Sequence, residues 1–318
     1  MNIYQKIIKN NGYITALAPM EDVTDTVFRQ MLCKLSRPDL FYTEFMNVDG
    51  FCSNGREAVV HRLRFENLEK PIIVQLWGLN PSNFRETIKY VKTLKPSGID
   101  INMGCSVRNV LSHGAGSGLI QTPTLAKEII DTVKDSAGNI PVSVKTRLGY
   151  DSIITEEWIS FLLEQKIDAL TVHGRIAKEG YGSPSNWNEM SKIVQLRDKI
   201  SPETIIIGNG DIKSLERGID LIKKYDLDGF MVGRGIMSNP WLFSKDINDI
   251  PVKQRLQTLY DHISLFETTW KGKKPLYTQR KYIKMYLSDF EGANDIRKEL
   301  MICNDIDEMK KLILKQIS

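Results

Sequence analysis

The chain has 318 residues, of which 42% are apolar, so it can bury one large core, or one large and one small core. Its 43 basic and 39 acidic residues give a net charge of only +4, which excludes a strongly basic protein that binds nucleic acid over its whole surface. Any nucleic-acid-binding surface must therefore be local.

The N-terminal sequence, MNIYQKIIKNNGYITALAPM, lacks the apolar core of a signal peptide, and no stretch reaches the roughly 18 to 20 apolar residues of a membrane span. The four cysteines lie at positions 33, 52, 105 and 303, without the spacing of a zinc site or a disulfide framework. We expect a cytoplasmic protein with reduced thiols, no bound metal, no membrane association and no obligate protein partner.

Eight short β-branched runs recur along the first three-quarters of the sequence, and segments with helical spacing of apolar residues separate most of them. The runs begin at Ile14, Leu40, Pro71, Gly98, Ile140, Ala169, Thr204 and Gly229. Eight alternations of strand and helix over about 230 residues are typical of a (β/α)8 TIM barrel, an α/β fold. We predict this barrel for residues 1–243 and a small all-helical domain for residues 244–318.

Nearly every run ends in polar residues or glycine, and several of these residues are not the Asp, Asn, Gly or Pro that turns usually recruit. They are Met20, Glu21, Glu44, Gln75, Asn102, Lys145, His173, Asn209, Gly210, Gly233 and Arg234. The carboxyl ends of parallel barrel strands converge on one face, where the active sites of this fold lie. The sequence therefore predicts a functional site at that face.

After Pro240 the sequence predicts helices without strands, at 253–271, 276–290 and 305–317. Between residues 251 and 285, eight basic residues outnumber two acidic ones. The aromatic residues Tyr260, Trp270, Tyr277, Tyr282 and Tyr286 lie among or beside them. One interpretation is a surface that binds phosphates and stacks bases. The alternative is a solvated helix face whose aromatic side chains turn inward.

The seventh and eighth runs end in GNGD (208–211) and VGRG (232–235), each followed by helical sequence. Glycine lets backbone N–H groups approach an anion closely, and Arg234 adds a fork of donors, so the pair predicts a phosphate site. Gln75, Lys145 and the segment 18–20 lie at other strand ends. Their donors and apolar surface suit a flat heterocycle that becomes anionic, such as a reduced flavin.

The fourth run continues into DINMGCSVRNVLSHGAGSGLIQTP, with Cys105 on a glycine-containing turn three residues after Asn102. Most free cysteines behave as small buried apolar residues, and this is the alternative interpretation. The glycines at 104, 114, 116 and 118 favour a mobile loop that approaches a ligand closely. They therefore favour a chemical role for Cys105.

Several segments resemble the tRNA-dihydrouridine synthase family in order and approximate spacing. They are APMEDVTD, VQLWG, DINMGC, HGAGSGLI, VSVKTRLG, VHGR, GNGD and VGRG. The resemblance extends over about residues 14–245, and the helical tail is compatible with the tRNA-binding domain of that family.

The resemblance implies that NADPH reduces FMN at the barrel mouth, that the flavin gives hydride to C6 of a uridine in the tRNA D-loop, and that Cys105 protonates C5. Asn102 is expected to read the uracil, and Arg147 and Arg175 are expected either to contact the tRNA backbone or to form structural ion pairs. Ser106 stands where the family usually has proline, so the geometry of the turn is in question. The residues that the resemblance places at FMN are Pro19, Met20, Glu21, Gln75, Lys145, His173, Asn209, Gly210, Asp211, Gly233 and Arg234.

Two other functions stay open on the residues alone. An FMN barrel oxidoreductase acting on a free small molecule needs the phosphate site and the lysine but not the basic tail. A catalytically silent RNA-binding barrel needs the tail but no flavin.

Overall fold

The computed structural model describes residues 1–245 and 250–317. All eight predicted runs form parallel strands, and the second run forms two short strands instead of one. The strands are β1 (Ile14–Leu17), β2 (Phe41–Tyr42), β3 (Met46–Asn47), β4 (Ile72–Trp77), β5 (Gly98–Met103), β6 (Val142–Arg147), β7 (Ala169–His173), β8 (Ile205–Asn209) and β9 (Gly229–Val232).

The strands form one curved sheet in the order β1-β9-β8-β7-β6-β5-β4-β2, with β3 also paired to β4. A parallel bridge between Ala16 and Leu40 joins β1 to the residue before β2 and closes the ring. Nearly every strand residue is buried, as expected for strands covered on both faces. The predicted (β/α)8 barrel is confirmed.

Helices surround the barrel between the strands. They are α1 (Ile3–Asn11), α2 (Thr26–Leu35), α3 (Val48–Phe51), α4 (Arg56–Val60), α5 (Pro81–Thr93), α6 (Arg108–Leu111), α7 (Pro123–Ala137), α8 (Thr155–Glu164), α9 (Asn188–Ile200) and α10 (Leu215–Tyr225). Helix α1 covers the bottom of the barrel, where the Tyr4 hydroxyl donates to Ser143 Oγ at 2.9 Å. The opposite end, at the carboxyl ends of the strands, is left for a ligand.

Helices without strands follow the barrel: α11 (Val252–Trp270), α12 (Arg280–Tyr286), α13 (Ala293–Ile302) and α14 (Ile306–Ile317). The three predicted helical stretches correspond to α11, α12 with the turn before it, and α14, whereas α13 was not predicted. Leu259 and Tyr286 belong to the same buried apolar cluster as Leu17 and Phe28 of the barrel. The predicted boundary at 243/244 adjoins residues 246–249, which lie outside the described residues, and it stays a prediction.

The C-terminal helices contact the loop that follows β1. Trp270 Nε1 donates to Asp25 Oδ2 at 3.0 Å, and the Tyr282 hydroxyl donates to the Val23 carbonyl at 2.5 Å. Lys281 Nζ donates to the Asp22 carbonyl. The helical tail is therefore fixed beside the open end of the barrel.

The predicted stacking surface is wrong for three of its aromatic residues. Trp270, Tyr282 and Tyr286 are buried, and His262 donates or accepts a hydrogen bond at the Tyr286 hydroxyl over 2.9 Å. Tyr260 is partly buried, whereas Tyr277 is 65% exposed. Trp270 packs against Val27 and Tyr282 stacks on Phe28 of helix α2, so these two side chains turn inward at the junction between the tail and the barrel.

Candidate active site

The carboxyl ends of the strands surround a cavity of about 840 Å³. Its wall includes every residue predicted to be catalytic, cofactor-binding or substrate-binding except Gln75. These are Pro19, Met20, Glu21, Asn102, Cys105, Lys145, Arg147, His173, Arg175, Asn209, Gly210, Asp211, Gly233 and Arg234. The volume is in the range of sites that enclose a cofactor-sized ligand. Residues from six strand ends therefore meet as the parallel barrel topology requires.

Two glycine-containing loops, after β8 and after β9, form one side of this cavity. Gly210 has φ +133° and Asp211 has φ +52°, positive values that glycine, asparagine and aspartate adopt most readily. A Cβ on Gly235 would lie 2.1 Å from the Ile212 carbonyl oxygen, so the loops approach each other only because that residue is glycine. A Cβ on Gly233 would make only ordinary van der Waals contacts, at 3.8 Å from Ala18 Cβ and 4.0 Å from Met20 Sδ. This cradle leaves the room that an anion needs against the backbone.

The Asp211 side chain faces a cation of the protein. Its two oxygens accept from Arg175 Nη2 at 2.8 and 2.7 Å, and Ser185 N donates to it at 2.8 Å. A carboxylate held in this way does not itself bind a phosphate, because the two anions repel. Asp211 therefore shapes the loop, and phosphate contacts from this residue come from its backbone.

Arg147 and Arg175 are buried rather than displayed for a nucleic-acid backbone, with 2% and 3% exposure. Arg175 forms the ion pair with Asp211, which is the second of its two predicted roles. Arg147 donates to the Gly104, Ile176 and Gly180 carbonyls and to Ser106 Oγ at 2.8 to 3.2 Å. Both guanidinium groups thus hold loops around the cavity that they line.

Lys145 supplies a positive charge at the floor of the cavity. Its Nζ donates to Asn209 Oδ1 at 3.2 Å. Burial, together with the nearby charge of Arg147, lowers the pKa of Lys145 to about 8. Lys145 can therefore stabilise negative charge that develops on a ligand beside it. A reduced flavin ring requires a cationic donor of this kind.

The neighbouring His173 is held neutral. Arg175 Nη1 lies 3.0 Å from His173 Nε2, and since a guanidinium only donates, that nitrogen accepts. Burial and the surrounding cations lower the pKa of His173 well below its ordinary value. The imidazole therefore presents no additional charge to a bound ring.

Cys105 lies on a turn that is fastened from three sides. Asn102 Oδ1 accepts from the N–H groups of Gly104 and Cys105 at 3.1 and 2.9 Å. Ser117 Oγ donates to the Cys105 carbonyl at 2.8 Å, and Arg147 bonds to Ser106. Burial raises the pKa of the Cys105 thiol, which favours a protonated sulfur at the cavity wall.

Ser106 takes part in fixing this turn. Its hydroxyl accepts from Arg147 Nη2 at 3.1 Å, while Arg147 Nε donates to the Gly104 carbonyl on the other side of Cys105. A proline at position 106 would restrict the backbone but could not accept this bond. The side chain of Arg147 therefore ties the turn to β6.

Two strand-end residues that were expected at the site, Gln75 and Glu44, do not line the cavity. Gln75 is fully buried beneath the cavity, where it bonds to Asp100 and Asn102. Glu44 accepts from the Asp22 N–H at 2.6 Å and is also buried, outside the cavity wall. Alternation along a strand alone does not say which polar residue reaches the ligand and which supports another residue.

Sequence reasoning missed Tyr181, which lines the cavity with 59% exposure. The Arg234 guanidinium stacks over its ring at 4.0 Å from the centroid. A signal was present, since an aromatic residue between Gly180 and Gly182 after β7 is typical of a loop that presents a side chain.

No helix among the described residues combines the length and apolarity needed to cross a bilayer. In the same ranges, no cluster of three or more His, Cys, Asp or Glu side chains is arranged to hold a metal ion.

The fold and the cavity define a barrel protein with an anion cradle, a buried lysine and a thiol at the carboxyl ends of its strands. The family model described as dihydrouridine synthase matches residues 16–318. The chain belongs to the dihydrouridine synthase family.

Relatives and solved structures are consistent with this assignment. A probable tRNA-dihydrouridine synthase of Staphylococcus aureus (strain MRSA252) is 42% identical over 300 residues, covering 93% of this chain and 91% of the relative. Probable tRNA-dihydrouridine synthase 2 of Bacillus subtilis (strain 168) is 40% identical, covering 93% and 92%. Morphinone reductase aligns with TM-score 0.51 and 12% identity over 72% of this chain and 84% of its own, a likeness of fold alone.

Proposed function

We propose that this protein is a tRNA-dihydrouridine synthase, which reduces the C5–C6 double bond of a uridine in the tRNA D-loop with electrons from NADPH. The observation that carries the proposal is that Cys105 lines the same cavity as Lys145 and the glycine cradle. Those three features are what a bound flavin, its phosphate and a proton donor need in one place.

FMN is the proposed cofactor, and its fit is judged from the donor set. The cradle residues Asn209, Gly210, Asp211, Gly233 and Arg234 would hold its phosphate, with Asp211 contributing through its backbone. Pro19, Met20, Glu21, Lys145 and His173 would contact its ring, and Gln75 would act from beneath. When bound, reduced FMN supplies hydride to C6 of the uracil.

Cys105 is the proposed proton donor. Addition of hydride at C6 leaves an enolate that must gain a proton at C5, and an acid held against the ring provides it. Because burial raises its pKa, the thiol keeps its proton at neutral pH until the enolate develops. The sulfur thus has the protonation state that the reaction needs.

The target base must leave the stacked tRNA to reach this cavity, which costs a few kcal/mol. Asn102 is proposed to read the uracil edge, with Arg147 and Arg175 shaping the wall around it. Exposed basic side chains on the helical tail, among them Lys271, Lys273 and Lys284, are proposed to bind the tRNA backbone and offset that cost. The proposal also assigns residues 1–243 to the catalytic barrel and residues 244–318 to the tRNA-binding domain. The proposed location is the cytoplasm.

The test is to map dihydrouridine in tRNA from cells with and without this gene, then after complementation with wild type and with Cys105→Ala. Loss of one D-loop dihydrouridine, restored only by the wild type, is expected. Purified protein should be yellow and bleach with NADPH, and tRNA should reoxidise it. A colourless protein that cannot take up FMN would indicate a silent binder, and reoxidation by free enones but not tRNA would indicate a small-molecule reductase.

A further inference from the structure

A chain of hydrogen bonds inside the barrel ends on the turn that carries Cys105. Asp100 and Asn102 lie two residues apart on β5, so both side chains point to the barrel interior. Gln75 of β4 is in register with Asp100 and lies between the two. Asp100 and Gln75 are fully buried and Asn102 is 5% exposed, so water cannot replace these partners.

The direction of donation along the chain is set at Asp100. Ser143 Oγ donates to Asp100 Oδ1 at 2.5 Å, and Gln75 Nε2 donates to Asp100 Oδ2 at 2.7 Å. An ionised carboxylate only accepts, so the amide nitrogen of Gln75 must face it and its oxygen must face Asn102. Asn102 Nδ2 then donates to Gln75 Oε1 at 3.0 Å.

This orientation leaves Asn102 Oδ1 as the atom turned toward the cavity. It accepts from the backbone N–H groups of Gly104 and Cys105. If the Asn102 amide were reversed, its NH2 group would face these two donors and both bonds would be lost. One buried acceptor, two hydrogen bonds away from Asn102, thus decides whether the turn can be held.

We propose that Asp100 is a positioning residue for Cys105, which acts through Gln75 and Asn102 by fixing the orientation of both amides. This proposal rests on the proposed function only for the catalytic role of Cys105. The positioning of the turn depends only on the hydrogen bonds described above. The charge of Asp100 also interacts favourably with that of Lys145, and no other acid among the described residues is bonded to Gln75 or Asn102. The buried carboxylate of Asp100 is the acceptor for both Ser143 and Gln75.

A polarity swap tests the proposal. In Asp100→Asn, the new amide oxygen can keep the Ser143 bond only by turning its NH2 toward the NH2 of Gln75. In Asn102→Asp, carboxylates lie on both sides of Gln75. Its NH2 group can donate to only one of them, and its oxygen then faces the other. In the double variant the chain runs in reverse: position 100 donates to Gln75 Oε1, Gln75 donates to the new carboxylate at 102, and that carboxylate accepts from Gly104 and Cys105.

The readout is hydrogen–deuterium exchange of the Gly104 and Cys105 amides in the full-length protein as purified, with Cys105 alkylation rate as a second measure. Asp100→Asn should exchange about tenfold faster, the ratio that one lost net hydrogen bond produces, and the double variant should return to within about twofold of wild type. Asn102→Asp keeps an acceptor for both amides and serves as the parent of the double variant. Asp131→Asn, the same substitution at an exposed ion pair on α7, is the matched control and should not change either rate.

Wild-type exchange in Asp100→Asn, or a double variant that exchanges at least as fast as Asp100→Asn, overturns the proposal. If a single variant does not fold, the double variant decides: recovery of the folded protein supports the polarity chain, and failure to fold overturns it. Neither measurement uses tRNA or a reductant, so the result stands apart from the test of the proposed activity.

Discussion

Trp270 of helix α11 donates its indole N–H to the carboxylate of Asp25, 3.0 Å away, across the junction between the helical tail and the barrel. Lys274 Nζ lies 3.5 Å from the same oxygen, and Asp25 also caps helix α2 by accepting from Phe28 N. The charge of Asp25 is thus well compensated. Its neighbour Glu44 has one backbone partner, the N–H of Asp22, and is buried.

Glu44 should make the stability of the protein depend on pH. Burial raises its pKa to about 7, reinforced by the charge of Asp25 and opposed by Lys274. The pKa of Glu44 is higher in the folded than in the unfolded protein, so its ionisation destabilises the fold. The free energy of unfolding is therefore least affected by Glu44 below about pH 4.5, and it falls as the pH rises through 7. Glu44→Gln keeps an acceptor for Asp22 and should be more stable than wild type at pH 8, on the order of 2 kcal/mol.

Urea unfolding at pH 5.5 and pH 8 measures this difference. Glu86→Gln, at an exposed ion pair on α5, is the control and should leave the pH profile of the wild type unchanged. A Glu44→Gln protein that follows the wild-type profile would show that Glu44 ionises normally in the fold.

Cys105→Ala should separate the two halves of the proposed reaction. Reduction of the flavin by NADPH should stay near wild type, whereas dihydrouridine formation should fall about 100-fold or more, the usual contribution of a general acid. Single-turnover oxidation of the reduced enzyme by tRNA measures the second step. Cys52→Ala, at an exposed free cysteine, should change neither rate, and full product formation by Cys105→Ala would remove Cys105 from the mechanism.

Gly235→Ala should weaken flavin binding. Its Cβ would lie 2.1 Å from the Ile212 carbonyl oxygen, so the loops after β8 and β9 must separate and lose phosphate contacts. A loss of at least about tenfold in FMN affinity is expected, equivalent to one charge-assisted hydrogen bond. Gly118→Ala meets open space and is the control in fluorescence titration with FMN. Equal affinity in both variants would place the phosphate elsewhere.

Binding of tRNA should depend steeply on salt through the exposed lysines of the tail. Lys273→Ala and Lys284→Ala should each lower the slope of log K against log salt concentration by about one, because each removes one released counterion. Lys127→Ala, an exposed ion-paired lysine on α7, is the control. A slope that the tail variants leave unchanged would contradict the proposed binding surface.

Much of the fold follows from local sequence. Buried parallel strands read as β-branched runs and amphipathic helices repeat every 3.6 residues, so the eight runs and their order are visible without coordinates. The second run was predicted as one strand and forms two, and Glu44 between them accepts a hydrogen bond from the N–H of Asp22 in the loop after β1. Helix α13 was not predicted; only Ala293 and Leu300 of this helix are buried, whereas Met301 and Ile302 are exposed.

The residue types of the site were also visible in the sequence, because parallel topology sends every strand end to one face. Tertiary structure alone decided their division of labour: Lys145 and Cys105 reach the cavity, Gln75 supports Asn102 from below, and Trp270 and Tyr282 enter the core. The reason is physical. Strand position determines which face a side chain takes, whereas its hydrogen-bond partners come from residues far along the chain, as Asp211 for Arg175 and Asp25 for Trp270.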